Sequence, residues 1–203
     1  LLPLRPKVIN GVYYDYVFAP SLYLSGDFLD YQRYNDRYSA FYFADVSGHG
    51  ASSAFVTGLL KYLCNRWLSE WDGQQPENLP PDWLKAMNRE GELRRLEGEG
   101  MPVGLFPDVE YPSLSCALPN KFRLWLCSDG VLECLPGKTL DTRLKELEQL
   151  VSESVTLEQL RDRLAETNAL LAEGDAEFDA NQERDALPDD LTIMMVSGFG
   201  HAD

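Results

Sequence analysis

The chain has 203 residues, of which 44% are hydrophobic, and a formal net charge of −15 from 18 basic and 33 acidic side chains. This length and apolar content predict one domain with a sizeable core over residues 1–203. The strong negative charge argues against a nucleic-acid surface and against an anionic membrane surface as partners. No apolar run long enough to span a bilayer and no basic, hydrophobic leader occurs, so no membrane partner is predicted.

The cysteines lie in or beside apolar segments without the paired spacing of a metal site, at Cys64, Cys116, Cys127 and Cys134. They are interpreted as reduced, packed thiols of a cytoplasmic protein. The sequence starts at Leu1 without a methionine, which suggests a fragment of a longer protein.

Apolar and β-branched runs predict strands that each stand next to an aspartate. The first strand leads into a turn at Gly26-Asp27, the second ends at Asp45, the third ends at Ser128-Asp129-Gly130, and the last follows Asp189-Asp190. The predicted strands cover 12–18, 38–45, 121–127 and 191–196.

Apolar residues at intervals of three and four predict an amphipathic helix over about 51–70. Its buried face is predicted to carry Phe55, Leu59, Tyr62 and Leu63, together with Ala51 and Gly58. A shorter helix is predicted over 82–89, another over 140–150, and a fourth is opened by the capping box Thr156-x-x-Gln159. The polar segment 174–185 is interpreted as a surface loop.

The acidic positions favour a site for divalent cations. Carboxylates beside buried strands are costly to desolvate unless positive charge gathers them. Oxygen ligands without a histidine or cysteine cluster favour Mg²⁺ or Mn²⁺ over zinc. Two such ions roughly 3.5 to 4 Å apart can activate a bridging water and neutralise a phosphoryl group, so phosphate-ester hydrolysis is predicted. The helix beginning near Ala51 would direct its positive dipole end at the same phosphate.

Five short motifs occur in order along nearly the whole chain: Ser-Gly-Asp-Phe-Leu-Asp-Tyr at 25–31, Ala-Asp-Val-Ser-Gly-His-Gly at 44–50, Met-Pro-Val-Gly-Leu at 101–105, Ser-Asp-Gly at 128–130 and Asp-Asp-Leu-Thr at 189–192. Together they resemble the bacterial PP2C-like (PPM) serine/threonine phosphatases, and within them the SpoIIE/RsbU-like sporulation and stress-response branch. Each motif alone is a weak signal, whereas five in order are specific. The resemblance implies an α+β fold, a four-layer α-β-β-α sandwich of two antiparallel sheets flanked by helices, with a dinuclear Mn²⁺ or Mg²⁺ site at one end.

Carried over by position, the resemblance implies a role for each acidic residue. Asp45 would bridge both metal ions, and Asp27 and the backbone carbonyl of Val46 would serve one of them. Asp129 and Asp189 would ligate the other ion, with Asp45 and Asp129 as the catalytic positions. Asp189 is preferred to the adjacent Asp190, which stands where the family often has a supporting polar residue, but register ambiguity keeps both as candidate ligands.

The loop after Asp45 is expected to approach the ions closely. Gly48 and Gly50 would give it a tight turn. His49 is interpreted as a loop histidine hydrogen-bonded to groups around the site, in preference to a proton donor for the leaving alcohol. The basic residue that anchors phosphate is unassigned. The arginines nearest the motifs in sequence are Arg5, Arg33 and Arg37.

The resemblance also implies a phosphoprotein substrate. Members of this branch dephosphorylate phosphoserine or phosphothreonine on a small anti-sigma-factor antagonist, so such a protein is the expected partner. The parent chain is expected to be a two-component response regulator, with a sensory or receiver region ahead of this domain and a dimer through the N-terminal linker. The alternatives are a catalytically inactive binding module of the same fold in a partner-switching pathway, and a phosphatase of a small metabolite or nucleotide.

The chain departs from the family at the step from Glu90 to Gly91. Family members carry a pair of core strands and an Ala-Gly-His signature in this region, and the sequence has neither. Loss of two central strands would leave ladder hydrogen bonds and apolar faces unsatisfied. Residues skipped between 90 and 91 are therefore expected in preference to a true deletion.

Overall fold

The structure, a computed structural model, describes residues 2–21, 24–36, 38–47, 50–70, 87–89, 92–95, 118–119, 121–167 and 187–198. The strands are β1 (Lys7–Ile9), β2 (Val12–Ala19), β3 (Asp27–Arg33), β4 (Ser39–Asp45), β5 (Met87–Arg89), β6 (Glu92–Arg94), β7 (Arg123–Cys127) and β8 (Leu191–Ser197). The helices are α1 (Ala51–Glu70), α2 (Asp129–Glu133), α3 (Leu140–Glu153) and α4 (Leu157–Thr167).

Four antiparallel strands form the first sheet, sheet A, in the order β1-β2-β8-β7. Strand β8 is central and buried along its whole length, with β2 on one side and β7 on the other. Because Cys127 at the end of β7 pairs with Ile193 near the start of β8, the residues that follow β7 lie beside those that precede β8. This register places Asp129 next to Asp189 and Asp190.

Strands β3 and β4 form the second sheet, sheet B, in register from Asp27↔Asp45 to Arg33↔Ser39. Alternate residues of a strand face opposite sides, so Leu29 and Tyr31 share the inner face with Asp27. This face packs on sheet A, where the rings of Tyr31 and Tyr14 stack with centroids 5.0 Å apart. The core between the sheets consists of Ile9, Tyr14, Tyr16, Leu29, Tyr31, Phe43, Leu124, Leu126, Met194 and Val196.

Helices α3 and α4 cover the outer face of sheet A. Leu147, Leu150 and Val151 of α3 and Leu160 and Leu164 of α4 belong to one buried cluster with Trp125, Ile193 and Met195 of the sheet. The predicted capping box is confirmed, since the backbone N–H of Gln159 donates to Oγ1 of Thr156 at 3.2 Å, and Oε1 of Gln159 accepts from the N–H of Val155 at 2.7 Å.

Helix α1 lies on the outer face of sheet B, which completes the four layers and confirms the predicted α-β-β-α sandwich of the α+β class. The predicted bounds of this helix are also confirmed, but its predicted buried face is wrong. Phe55 is 75% exposed and Tyr62 is 60% exposed, whereas Ser53, Thr57 and Leu68 are buried. Lys61 and Asn65 of α1 contact Asp30 and Gln32 of β3, so the face of the helix that meets sheet B carries polar side chains as well as Leu68.

The predicted helix over 82–89 is wrong for residues 87–89. These residues form β5, which pairs with β6 through Arg89↔Glu92 and contacts β7. Pairing with neighbouring strands overrides the local helical pattern. Residues 90 and 91 lie outside the described part of the chain, as do 82–86, 101–105 and 174–185, so the expected interruption between Glu90 and Gly91 stays a prediction.

Strand β1 was not expected, although the sequence carries a signal for it. Asn10 and Gly11 connect β1 to β2 with φ of 51° and 78°, and Ile9 pairs with Val12 across them. Positive φ at both central residues is the geometry of a type I′ turn, for which Asn-Gly is strongly preferred. The dipeptide therefore marked a hairpin.

Candidate active site

Five aspartates meet at one end of the sandwich. Asp27 and Asp45 are direct partners at the end of sheet B, Asp129 opens α2 after β7, and Asp189 and Asp190 immediately precede β8. The charges of Asp129, Asp189 and Asp190 all act on Asp45, and those of Asp45 and Asp190 act on Asp27. The structure thus brings together every aspartate that the sequence singled out as a candidate ligand.

Asp27 is a buried candidate ligand, with 6% of its surface exposed. Its Oδ2 accepts a hydrogen bond from Oγ1 of Thr192 at 2.5 Å. Burial raises the pKa of Asp27 to about 7; hydrogen bonds with Thr192 and Ser128 oppose this rise, and the charges of Asp45 and Asp190 add to it. The fold therefore holds a carboxylate whose charge is costly at neutral pH.

Asp45 ends β4 at the mouth of the site. Its partial burial, and then the charges of Asp129 and Asp189, raise its pKa to about 6. A hydrogen bond to Asp129 adds to the rise, because two carboxyl groups can share such a bond only when one of them is protonated. Both effects are those expected of carboxylates crowded together without a compensating positive charge.

Asp190 has a different environment from the other four. Its Oδ1 accepts hydrogen bonds from the backbone N–H and the hydroxyl of Ser21 at 2.7 and 2.8 Å, and its Oδ2 accepts from the N–H of Gly26 at 2.7 Å. Burial favours the neutral form, yet the hydrogen bonds from Ser21, Ser25 and Gly26 outweigh it and lower the pKa of Asp190. Asp190 therefore fastens the segment that leads into Asp27.

Asp189 is half-buried and less engaged than its neighbour. Its Oδ1 accepts from the backbone N–H of Asp190 at 2.7 Å, which leaves Oδ2 as the oxygen for another partner. This contrast between the two adjacent carboxylates favours Asp189 over Asp190 as a ligand.

Close backbone packing sets the position of Asp129. A Cβ on Gly130 would lie 2.1 Å from the carbonyl oxygen of Asp190, so only glycine lets α2 approach this closely. Oγ of Ser128 donates to the carbonyl of Asp190 at 3.1 Å and accepts from the N–H of Thr192 at 2.9 Å. The Ser-Asp-Gly and Asp-Asp-Leu-Thr motifs thus form one interlocked unit.

The loop from Asp45 to α1 is tied to the segment before Asp27. The N–H of Val46 donates to the carbonyl of Gly26, and the N–H of Gly50 donates to the carbonyl of Leu24, both at 3.2 Å. Gly50 has a φ of 83°, a left-handed conformation that favours glycine. Gly48, the other predicted turn residue, and His49, the predicted loop histidine, lie outside the described part of the chain.

The described residues offer oxygen donors without a neutralising partner. None of the lysines and arginines in the described ranges forms an ion pair with any of the five aspartates. Asp27 and Asp45, whose pKa values are raised, are carboxylates of the kind that suit hard divalent cations. Within the same ranges no group of three His, Cys, Asp or Glu side chains already has the geometry of a metal site. Asp27 is instead hydrogen-bonded to Thr192, and Asp190 is hydrogen-bonded to Ser21 and Gly26.

Several residues that build this site were not singled out from the sequence. They are Ser21, Ser25, Ser128, Gly130 and Thr192. Ser128, Gly130 and Thr192 lie inside motifs that were recognised, so their closeness to an aspartate was a usable signal. Ser21 had no such signal, because its contact with Asp190 spans 169 positions of the chain.

Comparison with known proteins identifies the family. The family model described as stage II sporulation protein E (SpoIIE) matches residues 80–198, which is more than half of the chain. The chain belongs to the SpoIIE family. A search of curated protein sequences gives no significant match. The SpoIIE family membership confirms the resemblance found from the motifs.

Solved structures with the same fold are PP2C-type phosphatase domains. The PP2C domain of SpoIIE from Bacillus subtilis, with a fragment of its regulatory domain, aligns with a TM-score of 0.69 and 15% identity over 92% of this chain and 63% of that one. The RsbU and RsbW domains of Rv1364c from Mycobacterium tuberculosis give 0.66 and 19% over 100% and 63%. RsbX in complex with magnesium gives 0.63 and 12% over 95% and 98%.

These similarities define what the SpoIIE-family chain shares with its relatives. The fold is that of PP2C phosphatase domains, and the chain spans 63% of the length of the first two structures. No helix in the described ranges is both long and apolar enough to cross a membrane.

Proposed function

We propose that this domain is a divalent-cation-dependent phosphatase that hydrolyses phosphoserine or phosphothreonine on a protein. The observation that carries the proposal is the convergence of five aspartates at one end of a PP2C fold, with the pKa values of Asp27 and Asp45 raised to about 7 and about 6. Such a cluster is costly for folding alone, so a functional role for its charge is favoured.

The residues divide into ligands and supports. Asp45 would ligate both cations. Asp27 and the backbone carbonyl of Val46 would ligate the first cation, and Asp129 and Asp189 would ligate the second. Bound Mg²⁺ or Mn²⁺ would supply a water nucleophile at neutral pH and neutralise the phosphoryl oxygens. Asp27 and Asp45 would lose their protons near neutral pH, and their carboxylates would then be available as ligands.

Supporting residues hold this arrangement without touching the phosphate. Thr192 and Ser128 fix the orientation of the Asp27 carboxylate, and Asp190 fixes the segment ahead of Asp27.

The α1 N-terminus, which follows Gly50, would direct backbone N–H groups at the phosphate. Magnesium bound to RsbX, a protein of the same fold, supports the choice of Mg²⁺ or Mn²⁺.

The partner proposed for the domain is a phosphorylated anti-sigma-factor antagonist. Support comes from SpoIIE family membership and from a neighbour in which RsbU and RsbW domains occur in one protein. On the same grounds we propose a cytoplasmic parent protein of the response-regulator type, in which residues 1–203 form a single phosphatase domain.

A phosphopeptide assay tests the proposal. The purified protein is incubated with a phosphoserine peptide and Mn²⁺, and phosphate release is measured for wild type, Asp129→Asn and the control Asp141→Asn, whose carboxylate pairs with Lys145 on the exposed face of α3. Phosphate release should fall at least 100-fold in Asp129→Asn, because a proposed cation ligand is lost, and stay within twofold in Asp141→Asn. Binding of the phosphopeptide by folded wild type without turnover would instead identify a catalytically inactive binding module.

A further inference from the structure

The second aspartate of the first motif, Asp30, is not used by the proposed site. It lies on β3 three residues after Asp27, on the face opposite Asp27, and is 9% exposed. Its Oδ2 lies 3.0 Å from Nζ of Lys61 on α1, whose side chain is 22% exposed. This ion pair therefore joins the strand that carries Asp27 to the helix that begins at the site.

Two hydrogen bonds also join α1 to sheet B. Nε2 of Gln32 donates to Oδ1 of Asn65 at 2.9 Å, and the hydroxyl of Tyr42 donates to the carbonyl of Cys64 at 3.5 Å. These are neutral hydrogen bonds near the far end of the helix. A partly buried bond between two charged groups is stronger than a neutral one, so the Asp30–Lys61 pair is the strongest of these three polar contacts between α1 and sheet B.

Both partners are connected to the site through rigid elements. Lys61 is ten residues along α1 from Ala51, a distance of about 15 Å in a helix. Asp30 is about 10 Å along the strand from Asp27. A shift of α1 relative to β3 would move Gly50, and it would strain the backbone hydrogen bonds by which Val46 and Gly50 are joined to Gly26 and Leu24.

We propose that Asp30 and Lys61 are positioning residues that fix α1 on β3 and thereby set Val46 and Gly50 in place beside Asp27 and Asp45. The inference rests on the proposed function, because the geometry it protects is that of the cation-binding carboxylates. Neither residue contacts the substrate. Their effect is on cation affinity and on the protection of the Val46 and Gly50 amides from exchange.

A purely structural pair would behave differently from a positioning pair. Removing one partner leaves a buried charge and destabilises the fold, whereas replacing both with neutral groups of similar size often restores stability. If the pair only stabilised the fold, the double variant Asp30→Asn/Lys61→Met would regain stability and cation binding together. A positioning pair predicts that the double variant regains stability while cation affinity stays weakened.

The test compares the purified wild type with Lys61→Met, Lys61→Arg, the double variant and the control Arg66→Met. The control removes an exposed ion pair between Arg66 and Glu70 within the same helix. Thermal unfolding reports stability, Mn²⁺ titration followed by electron paramagnetic resonance reports cation affinity, and hydrogen exchange reports the protection of the Val46 and Gly50 amides without any metal.

The expected result is a five- to tenfold weaker Mn²⁺ affinity in both Lys61→Met and the double variant, with faster amide exchange at Val46 and Gly50. Lys61→Arg should stay within threefold of wild type, and Arg66→Met within twofold. Should Lys61→Met fail to fold, the double variant carries the test. A folded double variant with wild-type Mn²⁺ affinity and wild-type exchange would overturn the positioning role alone. A wild type that binds no Mn²⁺ and releases no phosphate would overturn the proposed function and this inference with it.

Discussion

The charge on Asp27 links the stability of the domain to pH. The folded-state pKa is about 7, above the ordinary 3.8, so the folded protein holds a proton that the unfolded chain releases between these values. The contribution to stability is therefore fully present below pH 3.8 and is lost as pH rises to about 7. A divalent cation can replace the missing proton as the countercharge.

This linkage predicts a pH-dependent response to metal. Mn²⁺ should raise the unfolding midpoint more at pH 7.5 than at pH 5, because it competes with protons for the same carboxylates. Without metal, Asp27→Asn should be more stable than wild type at pH 7.5 by about 1 to 3 kcal/mol and should lose most of the Mn²⁺ response. Thermal unfolding at both pH values measures this, and an equal Mn²⁺ response at the two pH values would contradict it.

Gly130 is predicted to be intolerant of a side chain. In Gly130→Ala the new Cβ would meet the backbone of Asp190, so α2 must shift, at a cost of about 1 to 3 kcal/mol or more. The matched control is Gly58→Ala in the interior of α1, where a Cβ meets no atom within 4 Å and should stabilise by up to about 1 kcal/mol. Urea denaturation compares the two, and similar stabilities for both variants would rule out the close approach.

At the scale of elements, α1 shows what a periodic pattern leaves open. Its apolar residues recur at helical intervals, and the helix forms over Ala51–Glu70, but the period does not say which face meets the sheet. That choice depends on residues of the sheet, among them Asp30 and Gln32 of β3 and Tyr42 of β4. The element type was therefore predictable from the sequence, and the buried face was not.

The observed orientation of α1 predicts that two truncations differ strongly in their effect on stability. Leu68→Ala removes a side chain that is 4% exposed and should cost about 2 to 4 kcal/mol. Phe55→Ala removes a larger side chain that is 75% exposed and should change stability by no more than about 0.5 kcal/mol. Chemical denaturation of both variants tests the orientation, which a larger loss in Phe55→Ala would refute.

In the site, too, the features set by short sequence segments were predictable, and the features set by contacts between distant residues were not. Four of the five motifs could be found because an aspartate stands beside a predicted strand, and the ordered set of five pointed to the PP2C fold. The choice between Asp189 and Asp190 depends on contacts with Ser21 and Gly26, which lie far away in sequence. Pairings across such separations are fixed by sheet register, which one sequence does not display.

At the scale of the whole molecule, the fold explains why distant aspartates meet. Sheet A brings the end of β7 to the start of β8, sheet B places Asp27 opposite Asp45, and face-to-face packing of the sheets joins the two pairs. The layers were predictable because the motifs resemble a family with a known architecture. The local arrangement at residues 87–94 was not, since it depends on pairing between short strands on either side of the unusual junction.

Hydrolysis of para-nitrophenyl phosphate is the most direct test of the proposed cation-dependent phosphatase activity. The rate is measured for the purified protein with Mn²⁺, with Mg²⁺ and with EDTA, and for Asp45→Asn under the same conditions. The account predicts turnover that depends on Mn²⁺ or Mg²⁺, disappears with EDTA and falls at least 100-fold in Asp45→Asn. Turnover that persists in EDTA, or in Asp45→Asn, would contradict it, as would a folded wild type with no turnover under either metal.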